Sequence, residues 1–362
     1  MSETNTKQEL NEVMLDNTEN QISKQLRAFF ADGILVWFLL WCYNNFPFYT
    51  AFLTVESKNI LLILGFAHLF FMWPLYLNDK KATSYGVILW QVLIRLFQAS
   101  TKLLSPKNVP NFKDIKKIGW FVSEQEKVSL LALLVKMIFI PLIIGFTVGN
   151  LQVVSYLLEK FNWEGATLSI SFFNDSVYEL ILRTMFLVDT LCFLLGYLTD
   201  LDGLDNHIKS VEPTWFGWIV ALACYPPFNS VTGQFLPSYG NDMIFFWNEN
   251  LTFLLRIIIL ILFGIYTWAS IALGPKASNL TNRGIIAHGP YKYVRHPAYI
   301  SKTLVWFLCM LPIASFYAVF STLGVMFLYF LRAITEERHL LADPDYVAYA
   351  KKVKFKFIPY VY

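Results

Sequence analysis

The feature that most constrains this chain is a series of apolar stretches close to 20 residues long. That is roughly the length an α-helix needs to cross the hydrocarbon core of a bilayer. The stretches fall at 29–49, 59–77, 128–148, 177–199, 214–229 and 251–273, and a final pair between 299 and 331 turns near Pro312. The fifth is short and ends in Pro226-Pro227, so a kinked or partly inserted segment is expected there. Residues 84–100 alternate apolar and polar side chains at helical spacing, which predicts an interfacial helix rather than a crossing. A closed barrel would need many alternating ten-residue segments, and none are found. The expected fold is therefore all-α, a polytopic transmembrane bundle of about eight spans. Composition agrees, since 15% of the residues are charged against about 25% in soluble domains.

Charge sets the orientation. Lys and Arg crowd the loops on one predicted side, whereas the opposite loops hold only Lys58 and Lys160. The asymmetry places both termini and the 274–298 loop in the cytoplasm, at a bacterial inner membrane or, in a eukaryote, the endoplasmic reticulum. Residues 1–24 lack the layout of a signal peptide and predict a mobile or surface-helical cytoplasmic tail. An N-terminal bundle over 25–250 and a C-terminal module over 251–362 complete the expected organisation. A net charge of +3, with no basic run among exposed aromatics, gives no reason to expect a nucleic-acid partner. Cys42, Cys192, Cys224 and Cys309 are isolated in apolar segments, so neither a disulfide framework nor a metal site is expected.

Between two apolar stretches lies RGIIAHGPYKYVRHPAY, from Arg283 to Tyr299. Gly289-Pro290-Tyr291 predicts a tight turn open to close approach by a ligand. Pro297 can occupy the first turn of the next helix, whose free N–H groups would suit an anion. Arg295 and His296 add charge there. Taken alone, this turn reads as readily as a membrane-surface anchor. Glu336 and Glu337 close the last apolar stretch and suit an ammonium group, although paired acids are also ordinary at a solvated helix end. Arg332 lies one turn earlier and could pair with Glu336 at i,i+4. Glu179, Arg183 and Asp189 are ionisable groups within a span. The first two could neutralise each other. Residues 224–229 open a helix, and a plain kink accounts for them.

The order of the C-terminal elements resembles the isoprenylcysteine carboxyl methyltransferase and phospholipid methyltransferase group of integral membrane enzymes. That order is the RGIIAHGPYKYVRHPAY block, a helical hairpin, Arg332 before Glu336-Glu337, then Tyr346-Val-Ala-Tyr349 with a basic tail. The resemblance spans 273–362. It implies an S-adenosyl-L-methionine site at the cytoplasmic membrane face, built without a Rossmann fold. The absence of any GxGxxG agrees. Ile286, Tyr291, His296, Pro297, Tyr299 and Glu336 would line the cofactor. Arg283 and Gly284 open the matching block, His288 and Gly289 lie within it, and Glu337 is the second acid. Arg332 would stand next to the methyl acceptor, with Arg295 as its catalytic companion. The acceptor would be lipidic or apolar and would enter from the bilayer. The segment from Ala342 to Tyr346 is shorter than the family's, and Lys354 stands where the family has proline. A membrane sterol- or steroid-type reductase using NADPH is the rival reading, because it shares the HPxY-like turn; a non-enzymatic lipid-binding or scaffold protein is a third.

Overall fold

The computed structural model describes residues 2–71, 73–74, 84–103, 122–161, 169–237, 241–359 and 361. The end of the 59–77 stretch, about half of the basic 78–127 loop (78–83 and 104–121), Tyr360 and Tyr362 lie outside the described residues. Among the described residues, five helices are long and apolar enough to cross a membrane: Gln21–Asn45, Glu124–Lys160, Ile170–Leu198, Glu249–Lys276 and Phe316–Leu340. The expectation of an all-α polytopic membrane protein holds. The chain divides into two compact units, one of Met1–Thr50 and Lys58–Met137, the other of Ala51–Ser57 and Ile138–Tyr362.

In the first unit, α1 (Ser2–Asn45) is followed by α2 (Pro47–Thr50), most of α3 (Val55–Phe71), α4 (Tyr85–Leu103) and the start of α5 (Glu124–Lys160). The helix α4 is the amphipathic one expected at 84–100. It exposes Trp90, Leu93, Ile94 and Phe97. It crosses α1 at Gly86, where an added Cβ would lie 2.4 Å from the Ala31 carbonyl, and the Gly86 N–H donates to Asp32 at 2.6 Å. Pro141 sits inside α5. Proline has no N–H, so the carbonyl four residues earlier loses its helical donor. That carbonyl belongs to Met137, and it accepts instead from the Tyr49 hydroxyl at 3.3 Å.

The second unit holds the remainder of α5, then α6 (Ile170–Leu198), α7 (Trp215–Leu222), α8 (Asn229–Phe235), α9 (Glu249–Leu273), α10 (Pro297–Met310), α11 (Phe316–Leu340) and α12 (Pro344–Lys352). Side chains fix several helix starts by accepting an orphan N–H. Thr214 accepts from Gly217, Asn248 from Leu251, Ser315 from Ala318 and Asp343 from Asp345. The core packs Tyr178 and Leu182 of α6 against Ile259 and Phe263 of α9 and Val305 and Cys309 of α10. The expected hairpin is α10 and α11, turning through Leu311–Ile313.

The segment at 214–229 is not one helix. An eight-residue helix, α7, ends at Leu222 and a second short helix begins at Asn229. At 1.5 Å per residue, α7 spans only about 12 Å. The chain nonetheless passes from one end of this unit to the other. At one end, Ser210–Val211 pairs antiparallel with Thr281–Asn282. At the other, Tyr178 donates to the Asp242 carbonyl at 2.6 Å and Arg256 donates to the Asn174 and Met243 carbonyls. This is a broken crossing of the kind the double proline predicted.

Candidate functional site

The polar turn and the end of α11 come together. His296 precedes α10, and Pro297 is its first residue, as the sequence predicts. The turn itself is pressed onto α9. Gly289 has φ +58°, and a Cβ there would lie 3.1 Å from Ala272 and 3.3 Å from the Trp268 indole nitrogen. Both the conformation and the tight space favour glycine here.

Glu336 and Glu337 are neighbours with different surroundings. Successive residues on an α-helix point about 100° apart. Glu337 turns inward and is buried. Its Oε1 accepts from Arg295 Nε at 2.7 Å and meets His296 Nε2 at 3.2 Å. Its Oε2 meets Lys356 Nζ at 3.0 Å. Arg295 also donates to the Val353 and Lys354 carbonyls, and the backbone N–H groups of Arg295 and His296 donate to Phe355 and Lys356. Glu337 thus ties the turn to the C-terminal tail. Glu336 faces the other way, accepting from Tyr299 Oη at 2.6 Å.

Glu336 lines a cleft of about 430 Å³ together with Tyr299, Arg332, Thr335, Asn279, Thr281, Glu212 and His339. Arg332 is buried, with its guanidinium over the rings of Tyr225, Tyr299 and Tyr329 at 5.2, 5.3 and 5.8 Å. It donates to Asn279 Oδ1 and, at 3.5 Å, to Tyr225 Oη. The i,i+4 pair between Arg332 and Glu336 does not form, because each side chain is held by groups from other elements. Glu212 is almost wholly buried. Its Oε1 accepts from Arg338 at 2.7 Å and from Thr214, while its Oε2 has no partner among the described residues. A Cβ on Gly217 would lie 2.5 Å from this carboxylate, so the glycine makes room for it.

The other expected site residues take varied places. Arg283 is buried and donates to the Thr199 and Asn206 carbonyls at 3.0 and 2.7 Å, fastening the 199–206 loop. Gly284 has φ +101° beside Lys276. Ile286 is half-buried and His288 exposed. Tyr291 packs with Tyr346 and Tyr349, and its carbonyl accepts from Tyr349 Oη at 2.8 Å. Burial pushes all three of these phenols up from their ordinary pKa. Asp343 closes the same region. Burial acts to raise its pKa, but bonds from Asn282 Nδ2 at 2.7 Å and from the Asp345 N–H outweigh it and hold the carboxyl below the ordinary aspartate value. In the bundle, Glu179 and Arg183 pair at 3.6 Å. Asp189 accepts from Tyr266 Oη at 2.9 Å and from Ser270.

Sequence reasoning missed Glu212, Tyr225, Asn279 and Tyr329. Tyr225 sits inside the 224–229 break, so the break carries a side chain into the site. Asn279 offered a signal only through its place in a polar loop between two spans.

Residues 253–342, about a quarter of the chain, match the sequence model of the isoprenylcysteine carboxyl methyltransferase (ICMT) family. The match covers α9, the polar turn, the hairpin and the Glu336-Glu337 pair, and it supports a membrane methyltransferase. No curated protein matches the chain.

Proposed function

We propose that this protein is an S-adenosyl-L-methionine-dependent methyltransferase acting on a lipidic or apolar acceptor, with its cofactor in the cleft between the 278–299 segment and the end of α11. The observation that carries this reading is the charge pattern of the cleft. Glu336 and Glu212, whose Oε2 has no partner among the described residues, offer negative charge, and Arg332 offers the positive charge. S-adenosylmethionine carries an ammonium and a sulfonium, which the two carboxylates complement, and Arg332 is left for an anionic acceptor. NADPH would bring several phosphate charges next to two carboxylates, an unfavourable juxtaposition.

The cofactor supplies an electrophilic methyl group. The residues of the chain supply position. Glu336, oriented by Tyr299, and Glu212, oriented by Arg338, take the cationic groups. Arg332 is braced by Asn279 and three tyrosines, and it orients the acceptor with a planar fork that lysine lacks. Displacement at a sulfonium needs no covalent enzyme intermediate, so alignment is the main contribution. Glu337, Arg295 and His296 hold the turn that forms one wall. The surplus of Lys and Arg on the side of the 274–298 loop supports a cytoplasmic cleft.

Isothermal titration of the full-length protein in detergent tests the reading. Saturable binding of S-adenosylmethionine and S-adenosylhomocysteine is expected. Saturable NADPH binding without binding of either would overturn it.

A further inference from the structure

A second cavity of about 440 Å³, partly open to the outside, is walled by α5, α6, α9 and α10 and by Tyr225. Ile143, Phe146, Val153, Phe186 and Phe193 make much of its wall apolar. Along α6 it runs from Arg183 to Phe193, about 15 Å at helical rise. Gly145 and Gly149 lie on its α5 wall, one turn apart, and an added Cβ at either would meet no atom within 4 Å. Glycine weakens a helix interior. Close packing explains Gly196, where a Cβ would lie 2.0 Å from the Ala277 oxygen. No such contact explains Gly145 and Gly149, whose effect is to keep space open.

The charges on this wall are unequally served. Asp189 has the Tyr266 and Ser270 hydroxyls, and Arg183 has Glu179. Among the described residues Lys302 makes no direct ion pair or hydrogen bond, although the Asp189 carboxylate lines the same cavity. Its ammonium rests on the faces of Tyr266, Trp306 and Tyr329 at 5.6, 5.3 and 5.7 Å. A cation within a span is costly unless something anionic meets it. Tyr225 joins this cavity to the cleft, because its hydroxyl bonds Asn279 at 3.2 Å and Arg332 at 3.5 Å.

We propose that this cavity is a binding site for an elongated amphiphile with an anionic head, its tail between α5 and α6 and its head on Lys302. The head is a carboxylate or a phosphate. The site stands whether or not the cleft takes a methyl donor; resting on the methyltransferase reading, Tyr225 and Arg332 make it the route by which the acceptor reaches the cleft.

The test is binding of radiolabelled palmitate and of 1-palmitoyl lysophosphatidate to the full-length protein in detergent, with unlabelled hexadecanol as the neutral competitor. Saturable binding of at least one anion is expected, and the tighter of the two identifies the head. Lys302→Gln should weaken it about tenfold or more, the loss of a charge-assisted contact, and Lys302→Arg should restore it. Gly149→Phe, which fills open space, should abolish it. S-adenosylmethionine binding should be unchanged in all three variants, which shows that they fold. Competition by hexadecanol as strong as by palmitate, or wild-type binding in Lys302→Gln and Gly149→Phe, would overturn the proposal. Failure of wild type to bind either anion while it binds S-adenosylmethionine sinks this proposal alone. Amphiphile binding without cofactor binding sinks the methyltransferase reading alone.

Discussion

Two charged clusters a few residues apart near the C-terminal end of the chain treat burial in opposite ways. Around Glu337, one carboxylate meets three potential cations within 3.2 Å, and the chain supplies every partner. Around Arg332 and Lys302, two cations lie on aromatic faces, and only neutral groups bond Arg332. A buried cluster closed on itself works as a fastener, because removing any member strands the others. A cluster whose cations touch no carboxylate directly retains attraction for something brought from outside, even with Glu212 and Glu336 in the cleft of Arg332 and Asp189 in the cavity of Lys302. The first holds the turn, the tail and α11 together; the second faces both cavities.

The largest expected effect comes from breaking the closed cluster. Glu337→Gln leaves Arg295, His296 and Lys356 around a neutral amide. A loss of about 3–5 kcal/mol is expected, the usual result of stranding buried charge, read as a lower unfolding midpoint in detergent. A variant as stable as wild type would erase the contrast. Next comes Arg332→Lys, which keeps the charge and loses the fork. Turnover should fall by about 100-fold, the order expected of a small misplacement, while stability and cofactor affinity stay near wild type. Methyl transfer from labelled cofactor into a membrane extract, run beside a binding titration, separates the two. Glu336→Gln should lower cofactor affinity about 10- to 150-fold, the worth of a charge-assisted hydrogen bond, with no change in unfolding midpoint. Equal loss of cofactor binding in the Arg332 and Glu336 variants would refute the division of roles between them. The smallest effect belongs to Asp343→Asn. The folded-state pKa of Asp343 is depressed, so its contribution is full above the ordinary aspartate value of about 3.9. It is lost as pH falls through the lower folded value. The variant should be less stable than wild type by under about 1 kcal/mol at neutral pH, and the gap should close in acid.

Much of this architecture is legible in the sequence, because membrane helices are written in length and apolarity. The α10–α11 hairpin, the helix start at Pro297, the break after Leu222 and the amphipathic α4 all follow from local patterns. The meeting of the polar turn with the acid pair followed from their order along the chain. The division of labour between Glu336 and Glu337 did not. A one-residue step turns a side chain by about 100°, and no local signal says which acid faces inward. Arg295 and His296 looked available to a ligand, yet their partners at Val353–Lys356 lie more than 50 residues on. Lys302 was readable as an ionisable group within an apolar stretch; its three aromatic neighbours, drawn from three helices, were not.

The broken crossing bears on how such a protein is made. An α7 of eight residues is too short to be taken up by the membrane on its own. Bare peptide groups at its end would be stranded in lipid. Here the Ala223 carbonyl is met by the Thr232 hydroxyl at 3.1 Å, and Tyr225 by Asn279, a residue made 54 positions later. The Tyr225 contact is completed only by the loop behind α9, so the stretch is expected to settle together with α9 and that loop. Protease protection of nascent chains arrested at successive lengths would test this order. Protection of residues 215–235 before residue 282 has emerged would show that the stretch enters unaided.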